Sequence, residues 1–266
     1  MLSAKICRSY ADLASNAKLS FYPDGKHKLL VSSKYIFKPD GWEEAGFTEK
    51  IPKPQKRGGE VRNDSVRRAM SVVFDISRLN RFTHFITWTL DKKKIDRYSP
   101  AEVSKKLKNF LRNQSYRNNL KYLIIPEYHK DGAIHMHGLI SGYFDFVDSE
   151  KKTKGGQAIY NMPQWSLGFS TAIELDDNVG AISHYITKYI SKDFKKIFGN
   201  FYYAGGHGLE RKPPTQLYDI NYQEVNQKEY SKFGIGYKYM ELGDYSTSNA
   251  DENTRSILER IGIYVD

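Results

Sequence analysis

The sequence predicts an α+β fold built on an antiparallel sheet, and three patterns predict it. Short runs rich in β-branched and aromatic residues recur at 82–90 (FTHFITWTL), 120–128 (LKYLIIPEY), 133–141 and 167–175. Between and around them lie segments whose apolar residues return at helical spacing. The polar turn Lys130-Asp131-Gly132 then joins two of the runs directly, as a hairpin requires. The resulting order is β-α-β-β-β-α-β, for which the layer solution is a sheet with helices packed on one face.

Each element has its own local cause. In residues 1–64, a leader, 28–37 reads as a strand, and the stretch ending at Arg62 (IPKPQKRGGEVR) reads as a basic loop because proline and glycine break regular structure. Lys53, Lys56 and Arg57 in that loop are expected to add binding charge. Asn63-Asp64-Ser65 offers caps for a helix running to Leu79, with Val66, Ala69, Met70, Val73 and Phe74 on its apolar face. Ser99 and Pro100 start a second, basic helix expected over 100–113. Residues 145–156 read as a polar insertion. Asp176-Asp177 begins a third helix expected to reach Lys192, and 201–204 returns a strand before the Gly205-Gly206 turn. Beyond Arg211 the pattern weakens into a polar, tyrosine-rich tail with a short helix near 254–261. The expected division is therefore a leader (1–64), a main domain (65–210) and a C-terminal extension (211–266).

Composition narrows the function. The 41 Lys and Arg against 31 Asp and Glu leave a formal charge of +10, which favours a polyanionic partner, with nucleic acid foremost. Twenty tyrosines and fourteen phenylalanines supply rings that single strands can stack on, although most aromatics in any domain belong to the core. No apolar run approaches the roughly 18 residues of a membrane span, and the opening residues lack the apolar stretch of a signal peptide. The single cysteine, Cys7, permits no internal disulfide or Cys-x-x-Cys zinc site and fits a reducing cytoplasm.

The chemistry concentrates in two short stretches. In Ile134-His135-Met136-His137-Gly138 a strand sends His135 and His137 to one face and Ile134 and Met136 to the other. Glu127 lies eight residues before His135, across the hairpin turn, where it can come beside either histidine. Two imidazoles and a carboxylate form a mixed donor set suited to Mg²⁺ or Mn²⁺. His129 shares Glu127's face and competes for the third position; Glu127 is favoured because a hard ion prefers the carboxylate. In Tyr185-Ile186-Thr187-Lys188-Tyr189-Ile190-Ser191-Lys192 a Tyr-x-x-Lys unit occurs twice, so a helix places Tyr185 and Tyr189 one turn apart on one face. A buried aromatic stripe would give such a pair too, but here Lys188 and Lys192 border it with charge, and cations favour an ionised phenol. Together these groups suit attack of a tyrosine on a DNA phosphate.

Three stretches closely resemble the motifs of the HUH endonucleases, the rolling-circle replication initiators of small plasmids and single-stranded DNA phages. Phe85–Asp91 (FITWTLD) is similar to the first motif, Pro126–Ile140 (PEYHKDGAIHMHGLI) to the metal motif, and His184–Lys192 (HYITKYISK) to the nucleophile motif, in its two-tyrosine form. The resemblance covers about residues 65–210. It implies a ferredoxin/RRM-like core with His135, His137 and Glu127 as ligands of a divalent metal, Tyr185 and Tyr189 as nucleophiles, and Lys188 and Lys192 as their assistants. It further implies nicking and joining of single-stranded or extruded origin DNA through a 5′-phosphotyrosine, in the cytoplasm of a bacterial host. No Gly-x-x-x-x-Gly-Lys-Ser/Thr loop occurs in the sequence, so strand separation is expected from a host helicase working with a host polymerase. A transposase or mobilisation nuclease would use the same site. A noncatalytic RRM-like nucleic-acid binder would need stacking aromatics on its sheet, but not two histidines and two tyrosines together.

Overall fold

A computed structural model describes residues 14–25, 27–39, 63–176, 182–183, 185–189, 196–232, 235–242, 255–257 and 259. The chain divides into two compact units, residues 57–212 and a second made of 1–56 with 213–266. Both are antiparallel sheets, and the larger also carries the long helices, so the chain is α+β.

The smaller unit joins what the sequence pattern separated. Strands β1 (Ala17–Phe21) and β2 (His27–Ser32) from the leader pair with β10 (Thr215–Tyr218) and β12 (Ile235–Leu242) from the C-terminal extension, and β11 (Glu229–Lys232) completes the order β10-β1-β2-β12-β11. Leu19, Leu29, Val31, Met240 and Leu242 bury one face as a common core. Asn16 seals the junction: its side chain donates to the Ile220 carbonyl at 2.6 Å and accepts from the Ile220 N–H at 2.8 Å. Thus 1–64 and 211–266 are not two independent appendages. The basic segment around Lys53, Lys56 and Arg57 lies outside the described residues.

The larger unit holds α1 (Asn63–Leu79), β3 (His84–Leu90), α2 (Pro100–Arg117), β4 (Lys121–Tyr128), β5 (Ile134–Ser141), β6 (Val147–Lys152), β7 (Ala158–Asn161), β8 (Gly168–Glu174) and β9 (Tyr203–Gly205). Its sheet runs β6-β7-β8-β3-β5-β4-β9. The expected strand order survives, but the polar insertion is itself a hairpin, β6-β7, added at the β8 edge. Its strands are too polar and exposed to announce themselves by apolar alternation.

Helices cover both faces, where one covered face was expected. On one face α2 buries Val103, Leu107, Phe110 and Leu111 against Ile86, Trp88, Ile124, Met136 and Ile140. On the other, Val66, Ala69, Val73 and Ile76 of α1 pack with Leu123, Ile125, Leu139 and Ile186. The reason is the near-continuous burial of β4 and of β5: strands flanked by apolar residues on both sides need two covers. Helix α2 begins as its caps predict, with Ser99 accepting from the Glu102 N–H and Pro100 in the first turn. It continues past Asn113 to Arg117, because backbone hydrogen bonding propagates through exposed polar residues after the apolar stripe has ended.

Trp88 is central to the α2 side. Its ring stacks on Trp165 at 4.5 Å between centroids, meets Phe110 edge-on at 5.2 Å, and is fully buried. Its indole N–H has no hydrogen-bond partner among the described residues. Trp88→Ala should therefore cost about 3–5 kcal/mol of stability, the range for removing a large buried ring. Trp88→Phe, which keeps a ring and removes the orphaned N–H, should cost much less. Urea unfolding followed by circular dichroism checks both; equal losses would show that stacking on Trp165 contributes little.

Candidate active site

The site is built on three adjacent strands. In the β3-β5-β4 register Thr89 faces His135, which faces Glu127, and one row away Thr87 faces His137, which faces Ile125. Alternation does the rest: Ile86, Trp88 and Leu90 of β3, with Ile134 and Met136 of β5, turn into the α2 core, leaving threonines and histidines on the opposite face.

The threonines hold the rings. Thr87 Oγ1 lies 3.1 Å from His137 Nδ1, and Thr89 Oγ1 lies 3.3 Å from His135 Nδ1. Each Nε2 is therefore the nitrogen left to face outward. His137 Nε2 meets Glu127 Oε2 at 3.1 Å, with Glu127 buried to 6% exposure. With Glu127 ionised, Nε2–H donates to the carboxylate and Nδ1 accepts from the Thr87 hydroxyl. A hydroxyl can reverse its role and accept from Nδ1–H when Nε2 has lost its proton, so threonine suits either protonation pattern.

Glu127 and His137 thus come together, and His135 stands opposite Glu127 in the register with its ring 4.8 Å from that of His129. His129 is exposed and pairs with Asp131 through Nδ1 at 3.1 Å. Among the described residues no three side chains close around a common point as a ready metal cage. In chemical type, two imidazoles and a buried carboxylate fit a divalent ion; in this conformation His137 and Glu127 satisfy each other directly.

The tyrosines lie over this strand. Residues 185–189 are helical, with Ile186 buried in the α1-side core. That burial turns Tyr185 and Tyr189 toward the histidine face. The Tyr189 ring stacks on His137 at 4.0 Å with 21° between planes, and both tyrosines contact Phe85, at 5.3 Å for Tyr185 and 6.2 Å for Tyr189. Tyr189 donates its hydroxyl proton to the Tyr185 oxygen at 2.8 Å. Burial first, and then this hydrogen bond, push the Tyr189 phenol above its ordinary pKa, with the Glu127 charge acting the same way. Tyr185 is 46% exposed. It opens with Phe85, Ile173, Leu175, Ile182 and Lys188 onto a cavity of about 660 Å³. Lys188 therefore stands at the site, whereas Lys192 and His184 lie outside the described residues.

Residues 83–194 match the model of a family described as Replication-associated protein ORF2. The matched segment contains every residue of this site, from Thr87 and Thr89 through Glu127 and the two histidines to the tyrosines. This similarity supports a replication initiator of the rolling-circle kind. No curated protein and no solved structure matches the chain.

Thr87 and Thr89 are the functional residues that residue-by-residue reading did not single out. The available signal was the alternation within Phe-Ile-Thr-Trp-Thr-Leu, which puts both threonines on the face opposite Trp88.

Two rings here titrate abnormally. His135 is held below the ordinary histidine value of 6.5, first by burial and then by the His129 charge, against the opposing pull of Asp131 and Glu127. His84 is lowered by burial, against Glu174. Each binds a proton less readily when folded than when unfolded. Their contribution is therefore complete above the unfolded value and is lost as pH falls through it to the lowered folded values. Denaturant midpoints should hold between about pH 8 and pH 7 as far as these rings are concerned, and fall from about pH 6.5 to pH 5. Substituting both, His84→Gln with His135→Gln, should flatten that fall; an unchanged slope would assign it to other groups.

Proposed function

We propose that this chain is a rolling-circle replication initiator of the HUH type, which nicks and rejoins single-stranded DNA through a 5′-phosphotyrosine. The observation that carries the reading is the placement of the tyrosine pair on the Glu127–His137 face, with Tyr189 stacked on His137 and its hydroxyl bonded to that of Tyr185. A buried aromatic stripe would not place one of its two hydroxyl-bearing rings 46% exposed beside a cavity that a lysine also lines.

The tyrosine oxygen attacks the scissile phosphorus, the bond to the 3′ oxygen breaks, and the leaving oxygen takes up a proton to become the 3′ hydroxyl primer. The 5′ phosphate stays on the enzyme. A phosphodiester is exchanged for a phosphodiester, so a later attack by a 3′ hydroxyl or by the second tyrosine can rejoin or pass on the strand. His135, His137 and Glu127 would hold a divalent ion, Mg²⁺ or Mn²⁺, which polarises the phosphoryl oxygens when bound. Thr87 and Thr89 orient the two imidazoles for that task. Lys188, one helical turn from Tyr185, supplies positive charge to the phenolate or the phosphate, and Lys192 repeats the unit after Tyr189.

Tyr185 is the first nucleophile in this scheme, because it faces the cavity while Tyr189 is the harder of the two to ionise. The substrate is single-stranded or extruded origin DNA in a bacterial cytoplasm, with host helicase and polymerase acting after the nick.

Two measurements test this. With a labelled origin oligonucleotide and Mn²⁺, wild-type protein should give a denaturation-resistant adduct, while Glu127→Gln, His137→Ala or chelation should reduce it by about 10²-fold or more and spare DNA binding. Chelator-resistant cleavage unchanged by His137→Ala would sink the metal assignment. In the same assay Tyr185→Phe should lose most of the first cut and Tyr189→Phe less, with peptide mapping placing the DNA on Tyr185. An adduct that survives substitution of both tyrosines would remove them as nucleophiles.

A further inference from the structure

Phe169 is 68% exposed although β8 is an inner strand between β7 and β3. Its place in the register is specific. Phe169 faces Thr89, Thr89 faces His135, and His135 faces Glu127, so the four form one row across a single face of the sheet. Two strand spacings, about 10 Å, separate the backbone of Phe169 from that of His135. The residues around the ring on this face, Thr89 and the exposed Thr171, are short and leave the ring standing clear.

Charge surrounds the end of this row. The strands next turn into the loops after β3 and β4, which carry exposed Lys92, Lys93 and Lys130. The acidic residues there are committed locally: Asp91 accepts from the Lys93 N–H, Asp96 from the Tyr98 N–H, and Asp131 from the Ala133 N–H and the Arg97 guanidinium. An exposed ring on a polar sheet face, rimmed by lysines and in line with a phosphate site, has the features of a base-stacking platform. A protein partner's apolar patch would need further exposed apolar neighbours, and none of the residues opposite Phe169 in the register supplies one.

We infer that Phe169 stacks a nucleobase of single-stranded DNA flanking the phosphate bound at Glu127 and His137, with Lys92, Lys93 and Lys130 following the backbone. The location of that phosphate rests on the nicking reading above; the stacking itself does not. The platform selects single strands, since a base must leave its duplex partner for its face to reach the ring. It holds the strand across the β8-β3-β5 rows, so that the backbone passes the histidines in one direction.

The test separates the two readings by measuring binding without cleavage. A fluorescein-labelled, mixed-sequence single-stranded oligonucleotide is titrated in chelator against wild type, Phe169→Ala, Phe169→Trp and Lys92→Gln/Lys93→Gln. Phe169→Ala should weaken binding roughly 5- to 100-fold with an unchanged salt slope, because a ring contributes stacking and no counterion release. Phe169→Trp should restore binding, and the lysine variant should lower the slope by up to ~2. Oligonucleotides carrying single iododeoxyuridines should photo-crosslink to Phe169 from one position beside the cut. Unchanged affinity for Phe169→Ala, a crosslink elsewhere, or a change in oligomeric state with DNA binding intact would overturn the platform. If the binding results hold while wild type forms no covalent adduct on origin DNA, the nicking reading fails and the platform stands. Should Phe169→Ala misfold, the crosslink and the tryptophan variant still decide.

Discussion

The pairing of β5 with β3 on one side and β4 on the other is the constraint on which the site depends. Strand β5 carries residues of opposite character at alternate positions, and each set must find its own environment. Ile134 and Met136 are wholly buried against the α2 side, which leaves His135 and His137 no choice but the other face. A slip of one residue would bury two imidazoles and expose the apolar set. The same pairing brings Thr87 and Thr89 to the imidazoles from one neighbour and Glu127 from the other, so one register supplies the orienting hydroxyls, the nitrogens and the carboxylate together.

Helix α1 and the 185–189 segment then divide the histidine face into a covered part and an open part. Leu123, Ile125 and Leu139 are sealed by Val66, Val73, Ile76 and Ile186. Further along the same face the row Phe169, Thr89, His135 and Glu127 approaches the loops, with Phe169 and His129 exposed at its margins. The boundary between the two parts falls at His137, and Tyr189 stacks there. A nucleophile at such a boundary has its backbone anchored by core packing and its hydroxyl within reach of solvent and substrate. The hydrogen bond from Tyr189 to Tyr185 also makes the two phenols chemically unequal despite their identical local sequence context.

Much of this was legible in the chain. The histidine strand, its turn, the Ser99 cap and the spacing of the two tyrosines are local features, governed by residues a few positions apart, and each appears where its pattern placed it. Glu127 opposite His135 was also within reach, because a tight hairpin fixes its own register. What escaped was less local or less apolar. The β6-β7 hairpin is polar on both faces and leaves no periodic trace. The second sheet unites strands from the two ends of the chain, and no local signal says that residue 17 pairs with residue 218.

By itself the sequence determined which side chains share a face, because alternation along a strand and the turn of a helix follow from backbone geometry alone. It thereby determined that two histidines, and separately two tyrosines, would act as pairs. Only the tertiary structure decided what those pairs meet. That Thr87 and Thr89 hold the imidazoles, that α1 and not α2 shares the histidine face, and that Phe169 stands in the row of His135 depend on which strands become neighbours. That choice is made by burying apolar surface on both sides of β4 and β5 at once, a condition spread over residues from Val66 to Ile186 and visible in no single stretch of them.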